Sequence, residues 1–407
     1  MKTKMTENKQ QKQYSMHWIV LLALFTSLGP LSIDMYLPAL PEMADYFDVT
    51  TQQISNTLPA YFFGLAVGQL FYGPLSDRIG RKKPLYFGMA LYAFASLLCV
   101  LASDDWSLIA ARVLQALGGC VGVVMARAAI RDKLDLQASA QAFANMMIVM
   151  GLAPILAPLL GAWILYFFPW QAVFIALALI GLFCLICVHF FFDETLPVER
   201  RLKLNFKQVI LLYSAIFQDK TFRLPMWAGC LTGGALFCYI SSAPAVFMDQ
   251  FKIDRQLFAY LFGFNALGII VLSSLNKRLA NTLSIYRRLQ IGGSIQVIGS
   301  SMLFIVSWLA DPSLLIVMIG LFMTVAGIGF TGPNSMALAM SKQGARAGTA
   351  SAIMGSVQFS LGLLGGVILN FLTATPLMNM GLLMLIFTCG GLIAILKLCK
   401  IAKMQSV

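Results

Sequence analysis

Gly73-Pro-Leu-Ser-Asp-Arg-Ile-Gly-Arg-Lys-Lys83 is the stretch that decides the fold. It is a short turn with a basic end, set between apolar runs at 52–75 and 84–102. Each run is close to the roughly 20 residues that an α-helix needs to cross a bilayer. Gly80 allows a tight reversal, and Asp77 can accept hydrogen bonds from amides at a helix start. Arg78, Arg81, Lys82 and Lys83 would hold the turn on one side of a membrane. A plain basic loop is the other reading, but the ordered spacing of Gly73, Asp77, Arg78, Gly80 and Arg81 favours a built turn.

The same alternation continues in both directions. Apolar runs lie at 16–38, 52–75, 84–102, 106–129, 140–166, 170–191, 224–248, 256–276, 288–310, 314–340, 347–372 and 376–398, which predicts twelve membrane-crossing helices. Of the 407 residues, 59% are hydrophobic and 11% charged. A soluble domain carries about 25% charged residues. A core cannot absorb so much apolar sequence, and lipid can. The net charge of +12 would point to nucleic acid in a soluble chain, but here the cations sit between the runs.

An even span count puts both termini on one side. All of the 29 Lys and Arg except Arg112, Lys252 and Arg255 then fall on that side, which the positive-inside rule makes cytoplasmic. The polar start, Met1 to Tyr14, is not followed by a short apolar region with a cleavage site, so the first run is expected to stay in the bilayer. The longest gap, 192–223, divides the chain into a first bundle of six helices (1–191) and a second (224–407). Within the gap, Asn205 is placed to cap a short amphipathic surface helix over 206–217. The openings of the fifth and eleventh runs, Ala138-Ser-Ala-Gln-Ala142 and Gly348-Thr-Ala-Ser-Ala352, echo each other, and paired six-span repeats are a transporter pattern. The expected fold is all-α and integral to the membrane, with twelve transmembrane helices in two six-helix bundles.

Two charges fall inside runs away from their cytoplasmic ends, Asp34 and Arg112. Asp34 stands near the outer end of the first, four residues after Pro30 and four before Pro38, so roughly 6 Å deep at ~1.5 Å per residue. Pro30 should loosen the helix locally, and Pro38 and Pro41 should end it. A carboxyl within a span normally faces a cavity or a partner. Burial favours its neutral form and a nearby cation its ionised form, so a carboxyl poised between the two can load and release a proton. The alternative is that Asp34 only caps or pairs at the interface. Arg112 lies roughly 9 Å deep in the fourth run, on the same side, so a direct or water-mediated pair with Asp34 is geometrically open. Gln115 and Gly119 share its helix face. Snorkelling to the headgroups is the other role open to Arg112. Tyr36, Tyr61, Gln115, Tyr239 and Phe359 are candidate lining for a substrate cavity. In the fifth run, Gly151-Leu-Ala-Pro-Ile-Leu-Ala-Pro-Leu-Leu-Gly161 sets Pro154 and Pro158 among small residues, a pattern for bending and close packing.

The sequence carries no P-loop pattern, no metal-ligand cluster and no nucleophile motif. The polar segments are too short for a catalytic domain. His17 and His189 read as interfacial, and the eight cysteines as packing thiols, including the CxxC spacing of Cys184 and Cys187 inside an apolar run. The chain is therefore not expected to be an enzyme or to bind a cofactor.

Gly73–Lys83 resembles the signature loop between helices 2 and 3 of the major facilitator superfamily. Arg112-Val-Leu-Gln115 with Gly118-Gly119 resembles the family's helix-4 motif, whose arginine is linked to proton coupling. Gly151–Ala162 resembles the helix-5 motif of drug/proton antiporters, with Ala153, Ala157 and Ala162 where Gly is common. Pro30–Pro41, Tyr61–Leu85 and Ala347–Ala352 are similar to the bicyclomycin/chloramphenicol-resistance (Bcr/CflA) branch. The resemblance implies a bacterial inner-membrane exporter of small drugs, a monomer driven by the proton gradient through alternating access. It implies that Asp77 caps helix 11 and that Arg81 meets an acid after helix 4, for which Asp132 is the candidate. A carboxylate and an arginine in one cavity would suit neutral, zwitterionic or weakly charged amphiphiles of the bicyclomycin, phenicol or sulfonamide kind. A proton-coupled or facilitative metabolite transporter on the same fold is the alternative.

Overall fold

The computed structural model describes residues 16–134, 136–201, 206–343 and 346–405. Every regular element among them is helical. The first half comprises α1 (Met16–Asp34), α2 (Leu40–Phe47), α3 (Thr51–Ile54), α4 (Thr57–Ile79), α5 (Lys82–Val100), α6 (Asp105–Lys133), α7 (Leu136–Phe167) and α8 (Gln171–Phe191). The second comprises α9 (Phe206–Gln218), α10 (Lys220–Pro244), α11 (Arg255–Leu279), α12 (Ile285–Val306), α13 (Leu314–Ala326), α14 (Ile328–Met340), α15 (Ala347–Leu369) and α16 (Pro376–Gln405).

Ten helical stretches among the described residues are long and apolar enough to cross a membrane, with α13 and α14 joined as one. α4 and α7 complete twelve. α4 is long enough at 23 residues, but Gly64, Gly68, Gln69 and Gly73 dilute its hydropathy. α7 is a single helix of 32 residues. Each span sits where the apolar runs place it. α9 supplies the amphipathic helix of the central gap, while Asn205, its expected cap, lies outside the described residues, as does Met1–Tyr14.

The surface fits a bilayer rather than water. Phe63, Val67 and Phe71 on α4 and Phe87, Phe94 and Leu97 on α5 are all exposed, an apolar face that water would penalise and lipid tails accept. Trp106, Trp163, Tyr166 and Trp308 are exposed near the ends of α6, α7 and α12 remote from the chain termini, the level at which amphipathic rings settle at a headgroup boundary.

Inside, α4 and α5 both pack along α6, α8 packs on α5, and α1 runs between α6 and α7. In the other half α10 and α12 pack along α16, with α13 on α12 and α14 on α10. Two seams join the halves, α4 against α15 and α7 against α11. Small residues make the tightest approaches. A Cβ on Gly161 would collide with the Met35 carbonyl, and one on Gly122 with the Phe25 carbonyl, so α1 meets α7 and α6 at backbone distance. That grip bears on the prolines within the spans. α1 runs unbroken through Pro30, as α7 does through Pro154 and Pro158, because packed neighbours hold a helix across a single lost hydrogen bond. α1 ends at Asp34, ahead of Pro38, and a short turn of 3-10 helix, Leu37–Ala39, leads into α2.

Candidate functional site

The last turn of α1 carries two polar groups to different places. Ser32 faces the interior of the first half, where its hydroxyl lies 2.6 Å from the Tyr92 hydroxyl. Asp34 faces the seam between the halves. It is 3% exposed, and its Oδ1 is buried without a hydrogen-bond partner. It lines a cavity of about 40 Å³ with Pro154 of α7, Leu236, Tyr239 and Ile240 of α10, Phe262, Ala266 and Ile269 of α11, and Val325 of α13. The far wall is aromatic. Tyr239 stacks on Phe262, centroids 5.1 Å apart and planes at 16°, and its hydroxyl accepts a hydrogen bond from Asn265 Nδ2 at 3.1 Å.

Arg112 is not in this cavity. It is fully buried within the first half, where Nη1 donates to Gln115 Oε1 at 2.6 Å and Nη2 to the Ser32 carbonyl at 2.8 Å. The Tyr36 and Tyr61 rings cover the guanidinium, each centroid 4.3 Å from Cζ. Gln115 in turn donates to Ser96 Oγ at 2.8 Å, and the Tyr36 hydroxyl lies 3.0 Å from Thr57 Oγ1. The expected Asp34–Arg112 pair is thus not formed: among the described residues no ion pair within 4.0 Å joins them. Ser32 and Asp34 are two residues apart at the end of one helix and point to different neighbours, so similar depth did not mean adjacency. Nor do Tyr36, Tyr61 and Gln115 line the cavity, because they form the cage around Arg112. Of the five proposed lining residues only Tyr239 borders it. Phe359 instead packs with Phe237 and Phe62, centroids 5.4 and 6.3 Å away, in an aromatic plug across the α4–α15 seam.

The Gly73–Lys83 turn forms a compact polar knot. Gly80 has φ +95°, a left-handed conformation, and a Cβ there would strike the Glu194 carboxylate. Arg81 Nε donates to Asp132 Oδ2 at 2.9 Å, and its Nη1 reaches Asp77 Oδ1 and Ser76 Oγ, both at 2.6 Å. Burial alone would favour the neutral guanidinium, but Asp132 and Asp77 hold the Arg81 pKa above its usual value. Asp77 is therefore engaged with Arg81, and its described hydrogen bond is not to the start of α15. Arg78 is exposed at the end of α4. Glu194 was not foreseen: its carboxylate accepts from the backbone N–H groups of Arg81 at 2.8 Å and Lys82 at 3.3 Å and ties 192–201 to the knot. An acid just after the sixth span, facing a basic turn, was the available signal. Asn265, an amide inside a span, was another. Of the helix-5 motif, Pro154 borders the cavity and Gly161 makes the α1 contact, while Gly151 has only Ile270 near it at 3.5 Å and Pro158 continues the helix.

Polar contacts tie the two halves together at both ends of the central seam. At the end remote from the termini, Glu42 of α2 pairs with Arg255 of α11 at 2.8 Å and accepts from the Trp170 backbone N–H at 2.9 Å. Asn370 bonds Asn56, and Gln52 donates to Asn370 at 3.2 Å. At the terminus end, Arg127 Nη1 donates to Ser351 Oγ at 3.0 Å, Tyr213 donates to the Leu70 carbonyl at 2.9 Å, and Gln69 lies against Gly355. All eight cysteines are free thiols, and among the described residues no group of His, Cys, Asp and Glu is arranged to hold a metal.

A helical bundle with two seams, an enclosed intramembrane carboxyl and this polar knot is a transporter's architecture, and comparison with known proteins places it. Residues 22–367 match the Major Facilitator Superfamily model. The chain belongs to that superfamily. Over 385 residues it is 33% identical to the MFS-type transporter YdgK of Bacillus subtilis, covering 93% of this chain and 94% of that one. It is 30% identical to a bicyclomycin resistance protein homolog of Haemophilus influenzae, covering 95% of each. A crystal structure of a D-xylose–proton symporter superposes with a TM-score of 0.72 over 93% of this chain and 96% of that one, at 13% identity, a likeness of fold alone. This superfamily member is a multi-pass membrane transporter, not an enzyme.

Proposed function

We propose that this transporter is a monomeric proton-coupled exporter of small amphiphilic drugs, working by alternating access across the bacterial inner membrane with both termini cytoplasmic. One observation carries the reading: Asp34 is buried, its Oδ1 without a hydrogen-bond partner, at a cavity whose walls come from both halves. An ionised carboxyl so placed is costly. Closing the cavity therefore requires Asp34 to carry a proton or a cation, and that requirement couples the proton to the movement of the halves.

The moving bodies are taken as residues 1–191 and 224–407, joined by the central gap. Asp34 takes a proton when the seam opens outward, where the Glu42–Arg255 tie now closes it. It releases the proton when the cytoplasmic end opens, and a drug entering from the cytoplasm or inner leaflet then takes its place. Arg112 has a positioning role here. Its bond to the Ser32 carbonyl fixes the turn of α1 that presents Asp34. Each proton is worth about 2.3 kcal/mol per 100 mV, so one proton supports a gradient of about a few hundredfold at ~150 mV. The Haemophilus relative's name makes bicyclomycin a first compound to try, with phenicols and sulfonamides beside it.

The test is proton release in inverted vesicles from an efflux-deficient host, energised to an acid interior. Adding a transported compound should alkalinise the lumen, and the Asp34→Asn variant should not respond. A response that persists in the variant would remove Asp34 as the carrier. No response to any compound, with protein present, would turn attention to a metabolite substrate.

A further inference from the structure

A second cavity lies far from Asp34, at the terminus end of the α4–α15 seam. It measures about 220 Å³ and is lined by Leu70 of α4, Tyr213 and Phe217 of α9, and Ile353, Ser356 and Val357 of α15. The lining is almost wholly apolar. Its polar side chains are Ser356 and Tyr213, and the Tyr213 hydroxyl is already committed, donating to the Leu70 carbonyl at 2.9 Å. That carbonyl is open within α4 because Pro74, four residues on, has no N–H to give it. Leu70 and Phe217 are exposed, as are Val67 and Phe71 on α4 and Ile210 and Leu211 on α9, so the cavity opens onto the face that lipid covers.

The two halves contribute unequally. α9 belongs to the second, where Ile216 joins Phe222 and Met226 of α10 and Ala350 and Ile353 of α15 in one buried cluster. Among the lining residues only Leu70 comes from the first half. The cavity is therefore complete only while α4 lies against α9 and α15. Its rim toward the termini is cationic. Arg346 stands seven residues before Ile353 and eleven before Val357, so the three share one face of α15. Lys220 and Arg223 follow Phe217 at the start of α10, and Gln343 Nε2, donating to Asp219 Oδ2 at 3.0 Å, ties that corner to the segment before Arg346. Lys220, Arg223 and Arg346 are all exposed, and among the described residues none of them forms an ion pair.

We propose that this cavity holds an acyl chain of an anionic phospholipid from the leaflet on the terminus side, with its phosphate on Arg346 and Lys220, and that the bound lipid keeps the terminus end of the α4–α15 seam closed. Depth supports the fit. Two turns of helix set Arg346 roughly 10 Å from Ile353 along α15. The headgroup zone of one leaflet is about 5–8 Å thick. A phosphate at Arg346 thus brings its first methylenes level with Ile353. A soluble anion would use the cations and leave the apolar cavity empty, and a neutral apolar compound would do the reverse. A phospholipid uses both. Near a membrane surface each Lys or Arg favours an anionic lipid by about fivefold. A ligand that touches both halves only when they are together favours the closed arrangement by its differential affinity. The site requires no particular exported compound, and it rests on alternating access only for its effect on transport.

The experiment uses the full chain in nanodiscs of phosphatidylcholine, with or without phosphatidylglycerol of the same chains. The probe is a phosphatidylglycerol with a photoreactive diazirine in one acyl chain, and spin labels on α4 and α15, outside the cavity, read the terminus end. Cross-links should concentrate on the peptides that hold Phe217, Ile353 and Val357. Phosphatidylglycerol should raise the closed population about fivefold or more. Val357→Trp fills the cavity, so it should abolish those cross-links and make the closed population independent of lipid. Arg346→Gln and Lys220→Gln should each lower the preference for phosphatidylglycerol over phosphatidylcholine by about fivefold, while a phosphatidylcholine probe still labels the cavity. If Val357→Trp does not fold, Arg346→Gln carries the same question. Cross-links spread evenly over the lipid-facing helices would mean surrounding lipid only and would overturn the site. A closed population that ignores phosphatidylglycerol would overturn its hold on the seam. Displacement of the probe by chloramphenicol would overturn the lipid assignment in favour of a drug. None of these readouts needs transport, so silence in the vesicle assay above would leave the lipid site standing, and failure here would leave the exporter standing.

Discussion

Arg112 shows how much one side chain can decide. Its guanidinium makes two charge-assisted hydrogen bonds and lies under two rings, all inside one half of the molecule. Such bonds contribute about 1.5–3 kcal/mol each. Arg112→Lys keeps the charge but loses the planar fork that reaches Gln115 and Ser32 together, so it should lower the melting temperature in detergent as well as slow transport. Unchanged melting with lost proton coupling would return Arg112 to the proton path. Glu194 offers a test by pH. Burial works against its charge, but the backbone amides of Arg81, Leu196 and Lys82 and the nearby Arg201 outweigh it and hold its pKa below the ordinary 4.5. A group with a depressed folded pKa stabilises the native state above its unfolded pKa, and that contribution fades as pH falls through the folded value. Glu194→Gln should therefore melt several degrees below wild type at neutral pH, and the gap should shrink below 4.5 in a melting series against pH.

At the scale of elements, small residues set how near the helices come. Gly161 lets α7 touch the backbone at Met35, just past the end of α1 and next to Asp34, whereas Gly151 on the same helix has only a side chain near it at ordinary contact distance. Gly161→Ala should force the two helices apart, costing roughly 1–3 kcal/mol as overpacking does, and should impair transport. Gly151→Ala should be near neutral in both melting and transport. Similar losses at both positions would mean that the motif serves bending rather than contact. Gly355 plays the corresponding part in the α4–α15 seam, where a Cβ would collide with the Gln69 amide.

For the whole molecule, the ties at the two ends oppose each other. Glu42–Arg255 and the Asn56–Asn370 contact close the end remote from the termini, while the Gln69–Gly355 contact and the Arg127–Ser351 bond close the other. A partly exposed ion pair contributes about 0.2–1 kcal/mol. Arg255→Gln should therefore shift the balance toward opening at the remote end by up to about fivefold, and Gly355→Ala should shift it toward opening at the terminus end. Distances between spin labels placed across each end would read both changes. Movement of both variants in the same direction would contradict this balance.

The twelve spans and the polar turn were legible in the sequence. Hydropathy acts locally: a run of about 20 apolar residues is a span whatever its neighbours. The tight turn at Gly80 was within reach too, and the family resemblance supplied Asp132 as a partner of Arg81, whereas Asp77, expected at helix 11, pairs with Arg81 instead. The site was less legible. Depth along a helix can be counted, but the direction in which Ser32 and Asp34 face depends on which helices flank α1, and that is a property of packing. So the sequence alone determined a membrane transporter fold and singled out Asp34 and Arg112. Tertiary structure alone decided that the two are not partners, that Tyr36, Tyr61 and Gln115 belong to the arginine, and that Tyr239, Phe262 and Asn265 stand opposite the carboxyl. The reason is physical: a buried charge takes whatever partner the packing brings, and packing joins residues that lie far apart along the chain.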